Sequence, residues 1–110
     1  MNRWEFFEAQ LQKSVRAVSA NNFEEAWRSL EKAHVLGQAK MIPHLRAHFA
    51  MLWLACRLVD PREVVGQLLR ISLVVPGTLV GRLPSGNTGR ARVSAFQVMA
   101  IDEELRPFLL

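Results

Sequence analysis

The 110-residue chain has one cysteine, Cys56. An internal disulfide framework is therefore excluded, and the composition fits a reducing compartment, the cytoplasm. Long apolar runs are equally scarce. The longest uncharged one, Phe49 to Cys56, is far short of the ~20 residues a membrane helix requires. It reads as a buried helix, with Cys56 an inert buried thiol. Arg3 and Glu5 stand where a signal peptide needs uncharged apolar residues, so none is expected. Basic side chains are not arrayed along one helix, so nucleic acid is not an expected partner. No residue is identifiable as a nucleophile.

Half of the residues are apolar and 22% are charged, as in a folded globular domain. One domain is expected over residues 1–110, with helical hairpins over 1–75 and a Gly/Pro-containing arm over 76–110. The net charge of +4 is uneven. Residues 34–100 carry eight basic groups against Asp60 and Glu63. Such a basic middle suits an acidic or anionic partner, or simply a solvated surface.

The apolar spacing describes four helices. Phe7, Leu11, Val15 and Val18 recur at steps of three and four, which predicts a first helix over 4–20 with these residues inward. Asn22, with Glu25 three residues on, forms a capping-box-like start for a second helix over 23–36. Its inner stripe is Phe23, Ala26, Leu30 and Ala33, and Gly37 would close it in a left-handed C-cap. Pro43 belongs near the start of a third helix that runs to about Leu58. That helix is apolar on most sides, which predicts a central position. Asp60-Pro61-Arg62-Glu63 is a clear restart. A fourth helix over 61–73 would face inward through Val64, Leu68 and Ile71, with Gly66 weakening it or permitting close helix contact.

Pro76-Gly77 is a turn signal. The arm that follows should be irregular, with short extended pieces at Leu79–Val80 and Val93–Phe96. Its apolar residues, among them Leu79, Val80, Leu83, Val93, Phe96, Val98 and Met99, argue that it lies on the helices. Residues 102–108 suit one terminal turn. The whole is expected to be all-α: two antiparallel helical hairpins with the arm across them.

All three histidines, His34, His44 and His48, fall within fifteen residues. Glu31 and His34 are three apart on the second helix, and His44 and His48 are four apart on the third. A short connection makes these helices antiparallel, so the last turn of one lies beside the first turns of the other. His-x-x-x-His with Glu-x-x-His on a neighbouring helix is ligand spacing. Three imidazoles and a carboxylate suit a transition metal (zinc, iron, copper or nickel) and not magnesium or calcium. His44 also lies near a helix N-terminus, where the dipole favours the neutral ring a metal needs. The plainer reading is a structural polar cluster. In an acid–base reading, His48 would be the base, and Glu31 or Arg46 would orient it or bind an anion.

Residues 81–89 hold a second candidate. Gly86, Asn87, Thr88 and Gly89, flanked by Arg82 and Arg90, could present N–H groups to an anion. This is not a phosphate-binding loop of the Walker kind, because no Lys-Ser/Thr pair follows the last glycine. The loop could instead fold over the histidines as a lid, or simply make turns. Glu63 and Gln67 share a face of the fourth helix, as a solvated pair or as partners of the polar cluster. Trp4, Trp27 and Trp53 read as core or groove-edge residues.

Residues 21–37 resemble the second half of a tetratricopeptide repeat, with small Ala26 and Ala33 and bulky Phe23 and Leu30 at its contact positions. The resemblance covers one hairpin and implies no array. The whole chain is similar to a family of small bacterial proteins of unassigned function. The similarity is carried by Leu30 to Gln38, Pro43 to His48, Arg62 to Gln67 and Pro76 to Gly89. Where that family often has Trp before the Arg-Glu pair, this chain has Pro61, which sharpens the helix start. The resemblance implies a bacterial cytosolic protein and no particular reaction.

Three functions fit these readings. The first is a non-enzymatic protein-interaction module, with a protein partner or a homodimer and no membrane. The second is a metal-binding or metal-responsive protein using Glu31, His34, His44 and His48. The third is a histidine-based enzyme with the arm as its lid.

Overall fold

Short-range chemistry marks three of the four helix starts. Asn2 begins α1 (Arg3–Ser19) with a complete capping box: its side chain accepts from the Glu5 N–H at 2.9 Å, and Glu5 accepts from the Asn2 N–H at 3.1 Å. Asn22 begins α2 (Phe23–Gly37) by accepting from the Glu25 N–H at 3.2 Å. The Glu25 carboxylate does not return to the cap; it meets Lys13 Nζ at 2.8 Å and ties α2 to α1. α3 (Met41–Arg57) has no side-chain cap, and Pro43 sits in its first turn, where a missing N–H costs nothing. Asp60 caps α4 (Pro61–Leu79) through the Glu63 N–H, with Pro61 at the first position. A 3-10 turn at Arg106–Phe108 follows.

The structure is a computed structural model and describes residues 1–80, 86–94 and 97–109. There is no strand among them, and the fold is all-α. Helices touch in chain order, α1 on α2, α2 on α3 and α3 on α4. One core cluster joins Ala17, Val18, Ala26, Leu30, Met51 and Leu54. A second joins Phe7, Ala33, Leu36 and Ala47 to Leu105 from the C-terminal segment. That segment is fastened at several points. Phe108 stacks on Phe6 with centroids 4.6 Å apart, Arg3 Nε donates to the Phe108 carbonyl at 2.8 Å, and Lys32 pairs with Glu104 at 2.7 Å.

Several side chains face otherwise than their spacing predicts. In α1 the inward residues are Phe7, Gln10, Ser14, Ala17 and Val18, while Val15 is exposed. Phe7 and Val18 enter the two core clusters, and small Ser14 and Ala17 lie on the same inward side. α3 does lie between α2 and α4, but one of its faces, Phe49, Trp53 and Cys56, is open, so Cys56 is not buried. α4 is turned furthest. It buries Glu63, Gln67, Arg70 and Val74, while Leu68 is exposed and Val64 and Ile71 are half-buried. Hydrogen bonds described below hold this polar stripe inward.

The glycines and prolines also act differently. Gly37 is helical and not left-handed. A Cβ there would stand 2.8 Å from the Phe7 ring and 3.1 Å from Pro43 Cβ, so its use is to let α1 and α3 approach the end of α2. Gly66 serves the arm and not another helix, since a Cβ there would overlap Ala91. Pro76-Gly77 does not stop α4, which continues to Leu79. Pro76 removes the N–H that would bond the Ser72 carbonyl, and both residues are exposed, so water can serve that carbonyl. Leu79 is therefore helical and Val80 its C-cap, so no extended piece forms there. Of the second expected extended piece, Val93 forms a bend, its N–H donating to the Arg90 carbonyl, and Ser94 is irregular; residues 95 and 96 lie outside the described residues, as do Arg82 and Leu83. Val98, Leu79 and Val80 are exposed, so these apolar residues do not dock the arm.

Val59, between α3 and α4, has φ +51°. A β-branched residue there carries strain of about 1–2 kcal/mol. Val59→Gly is expected to raise stability by about 1 kcal/mol, read as a shift in the urea midpoint at unchanged slope. An unchanged or lowered midpoint would refute the strain.

Candidate metal centre

The last turn of α2 and the first two turns of α3 are joined by only three residues, Gln38 to Lys40. This places His34 beside His44 and His48, and all three are buried. Their Nε2 atoms form a nearly equilateral triangle: His34 to His44 is 3.1 Å, His34 to His48 is 3.1 Å, and His44 to His48 is 3.2 Å. Among the described residues, these three form the group whose ligand atoms could share an ion.

Hydrogen bonds on the far side of two rings set their tautomers. His34 Nδ1 lies 2.6 Å from the Asn87 carbonyl. A carbonyl only accepts, so Nδ1 carries the proton and Nε2 of the neutral ring is a bare lone pair. His48 Nδ1 lies 2.7 Å from Gln67 Oε1. The Gln67 amide orientation is itself determined, because its Nε2 donates to Glu63 Oε2 at 3.1 Å and to the Gly89 carbonyl at 2.9 Å. His48 thus also directs a lone pair to the centre. Nδ1 of His44 is buried with no hydrogen-bond partner among the described residues, so His44 can place its proton on either nitrogen.

Burial keeps the rings neutral. It is the largest cause of a His34 pKa well below the usual imidazole range, reinforced by His48 and His44 and partly opposed by the Asn87 carbonyl. Burial and then His48 lower His44 to about 4. Burial lowers His48 as well, against the bond to Gln67. Two unprotonated lone pairs 3.1 Å apart repel each other. A cation among the three nitrogens would remove that repulsion. An ion there would be held by Nε2 of His34, His44 and His48, three neutral nitrogen donors.

The arm closes over this centre. Gly89 has φ +82°, and a Cβ on it would come within 2.6–2.9 Å of the His34 ring, so glycine is required on both counts. Asn87 is buried and folds the loop on itself. Its Oδ1 accepts from the Gly89 N–H at 2.9 Å, and its Nδ2 donates to the carbonyls of Ser94 at 2.8 Å and Gln97 at 2.7 Å. The Gly89 N–H is thus used within the loop and is not offered to an anion. Gly86 is buried at φ +77°, and Thr88 is half-buried.

Glu31 stands apart from the histidines, its carboxylate 3.1 Å from Arg90 Nη1. Arg90 also donates to Glu63 at 2.6 Å and lies 3.8 Å over the Trp27 ring. Glu63 accepts further from the Ala91 N–H at 3.2 Å. Arg70 donates to the Val93 and Gly66 carbonyls. Glu63 and Gln67 are therefore buried partners of the cluster and not a solvated face. Arg46 is elsewhere: it makes a two-pronged pair with Glu8 on α1, which holds the Glu8 carboxyl below its ordinary range, and it lies over the Phe7 ring. The roles of Arg90 as a fastener and of the Asn87 carbonyl as an acceptor were not read from the sequence. A stripe of Glu63, Gln67 and Arg70 at helical spacing in an otherwise apolar helix was the available signal.

No curated protein and no solved structure matches the chain. The chain belongs to the family described as "Protein of unknown function (DUF3703)", which matches residues 1–109. The match takes in α1 to α4, the histidine triangle and the described arm.

Two outcomes are expected of this DUF3703 protein. In the unfolded chain the histidines take up protons near pH 6.5, while in the metal-free fold they resist, His44 down to about 4. Stability is then complete above pH 6.5 and is lost as pH falls towards 4, by up to about 1.4 kcal/mol per pH unit for each histidine. Urea midpoints of metal-free protein between pH 8 and about 4.5 test this; a flat profile would contradict it. Gly89→Ala should displace the arm and destabilise by about 2–4 kcal/mol. Wild-type protease resistance of the arm in that variant would contradict the close contact.

Proposed function

We propose that this protein binds one transition-metal ion through Nε2 of His34, His44 and His48, as a small metal-binding or metal-responsive protein. The observation that carries the reading is the triangle of Nε2 atoms at 3.1–3.2 Å, with two lone pairs directed inward by acceptors behind the rings. An all-imidazole, neutral donor set suits zinc, copper, nickel or iron and disfavours magnesium and calcium. Gln67 and the Asn87 carbonyl act as the outer hydrogen-bond partners that orient metal-binding histidines. Because Asn87 and Gly89 belong to the arm, metal occupancy and arm closure are coupled. Glu31 supports the centre through Arg90 and need not be a ligand. The lone, unpaired Cys56 supports a reducing setting such as the bacterial cytosol.

A second reading, a protein-interaction module, is favoured by an apolar groove of about 120 Å³ between α1 and α3, lined by Leu11, Val15, Val18, Ala50, Trp53 and Leu54. The order of helix contacts supports the tetratricopeptide resemblance of the first hairpin.

Elemental analysis of untagged protein, followed by competition titration with zinc, copper, nickel and iron, tests the metal reading. About one ion per chain is expected, and stability should rise by about 2.7 kcal/mol at a free metal concentration of 100 times Kd. Replacing any of the three histidines by alanine should abolish stoichiometric binding. Gln67→Ala should weaken it by about 10–100-fold. Wild-type protein that takes up none of the four metals would end the proposal.

A further inference from the structure

α4 has its polarity inside out. Glu63, Gln67 and Arg70 point into the protein, and the opposite side carries Val65, Leu68, Leu69 and Val75, which are 65%, 53%, 56% and 43% exposed. Leu79 and Val80 prolong this apolar face at the end of the helix. A helix on the edge of a monomeric protein normally shows water its polar side. Single exposed leucines are ordinary, but a contiguous apolar surface on the order of several hundred Å² marks an interface.

We propose that this face of α4 is a symmetric dimer interface, and that its occupant is the same face of a second copy of the chain. Charge argues for a second copy. From Val64 to Val80 the one charged side chain is Arg70, and it is turned inward. The outer face offers no ionic contact by which a different charged partner could be selected. Two copies can meet across a two-fold axis without opposing like charges, as an isologous interface requires.

The register is favourable too. With α4 antiparallel to its copy and the axis near residue 70, Val65 of each chain lies opposite Val75 of the other. Each Leu68 then lies opposite the other chain's Ser72, an exposed small residue that leaves room for it. Area is consistent as well. If fully covered, the exposed surfaces of Val65, Leu68, Leu69, Val75, Leu79 and Val80 in the two copies together approach the ~1,200 Å² at the lower end of specific interfaces. The histidine triangle lies on the inner side of α4, so pairing leaves it untouched.

Sedimentation velocity on untagged full-length protein, metal-free and zinc-loaded, from micromolar to several hundred micromolar, tests the proposal. Wild type is expected to sediment as a dimer in both metal states and to remain so in high salt, because the contact is apolar. The double variant Leu68→Glu with Leu69→Glu and, separately, Ser72→Arg should shift dimerisation at least 100-fold towards monomer with helical circular dichroism unchanged. Val15→Glu, on α1, should leave the dimer intact. Wild type at monomer mass throughout, or a dimer that survives both α4 variants, would overturn the proposal. Neither result depends on whether the histidines hold a metal.

Discussion

Three imidazole nitrogens face one another across about 3 Å in a site from which water is largely excluded. Much of the local architecture follows from holding them there. Burial keeps the rings neutral, and neutrality makes each a potential donor of a lone pair. The acceptors behind His34 and His48 then decide which nitrogen looks inward. Remove the Asn87 carbonyl or Gln67 and the rings can turn or change tautomer. The triangle therefore depends on groups from α2, α3, α4 and the arm together.

The orientation of α4 is a consequence. A helix rich in valine and leucine would ordinarily bury those residues, yet this one buries glutamate, glutamine and arginine. Buried polar groups are tolerated only when nearly all their hydrogen bonds are made. Here Gln67 bonds His48, Glu63 and the Gly89 carbonyl, and Glu63 bonds Arg90 and the Ala91 N–H. Residues 87–93 of the arm supply the complementary groups, so this stretch is held by polar contacts and by two close approaches at Gly66 and Gly89, while Leu105 and Phe108 fasten the end of the arm by apolar packing. With the polar stripe satisfied inside, the apolar side of α4 is left facing out.

Helix starts were legible because capping is local. Asn22, Asp60 and Pro61 act within three residues of themselves, and the structure places them as their spacing requires. The grouping of the histidines was legible for a similar reason, since a connection of three residues leaves α2 and α3 little choice of relative position. Rotation about a helix axis is different. Val15, Leu68 and Cys56 all belong to plausible inward stripes, and each is exposed, because which stripe turns inward depends on what lies opposite. Pro76-Gly77 misled in the same way: a turn signal is only a local preference, and exposed backbone at Ser72 lets the helix run on.

The sequence by itself determined that the chain is helical, where three of its helices begin, and that three histidines lie at one end of one hairpin. Those properties rest on interactions between residues close along the chain. Tertiary structure decided that Glu31 turns to Arg90, that the Asn87 carbonyl and Gln67 orient the rings, and that α4 shows its apolar side to solvent. The reason is distance along the chain. His34 meets Asn87 across 53 positions and Arg90 meets Glu31 across 59, and only the assembled fold brings such groups within hydrogen-bond reach.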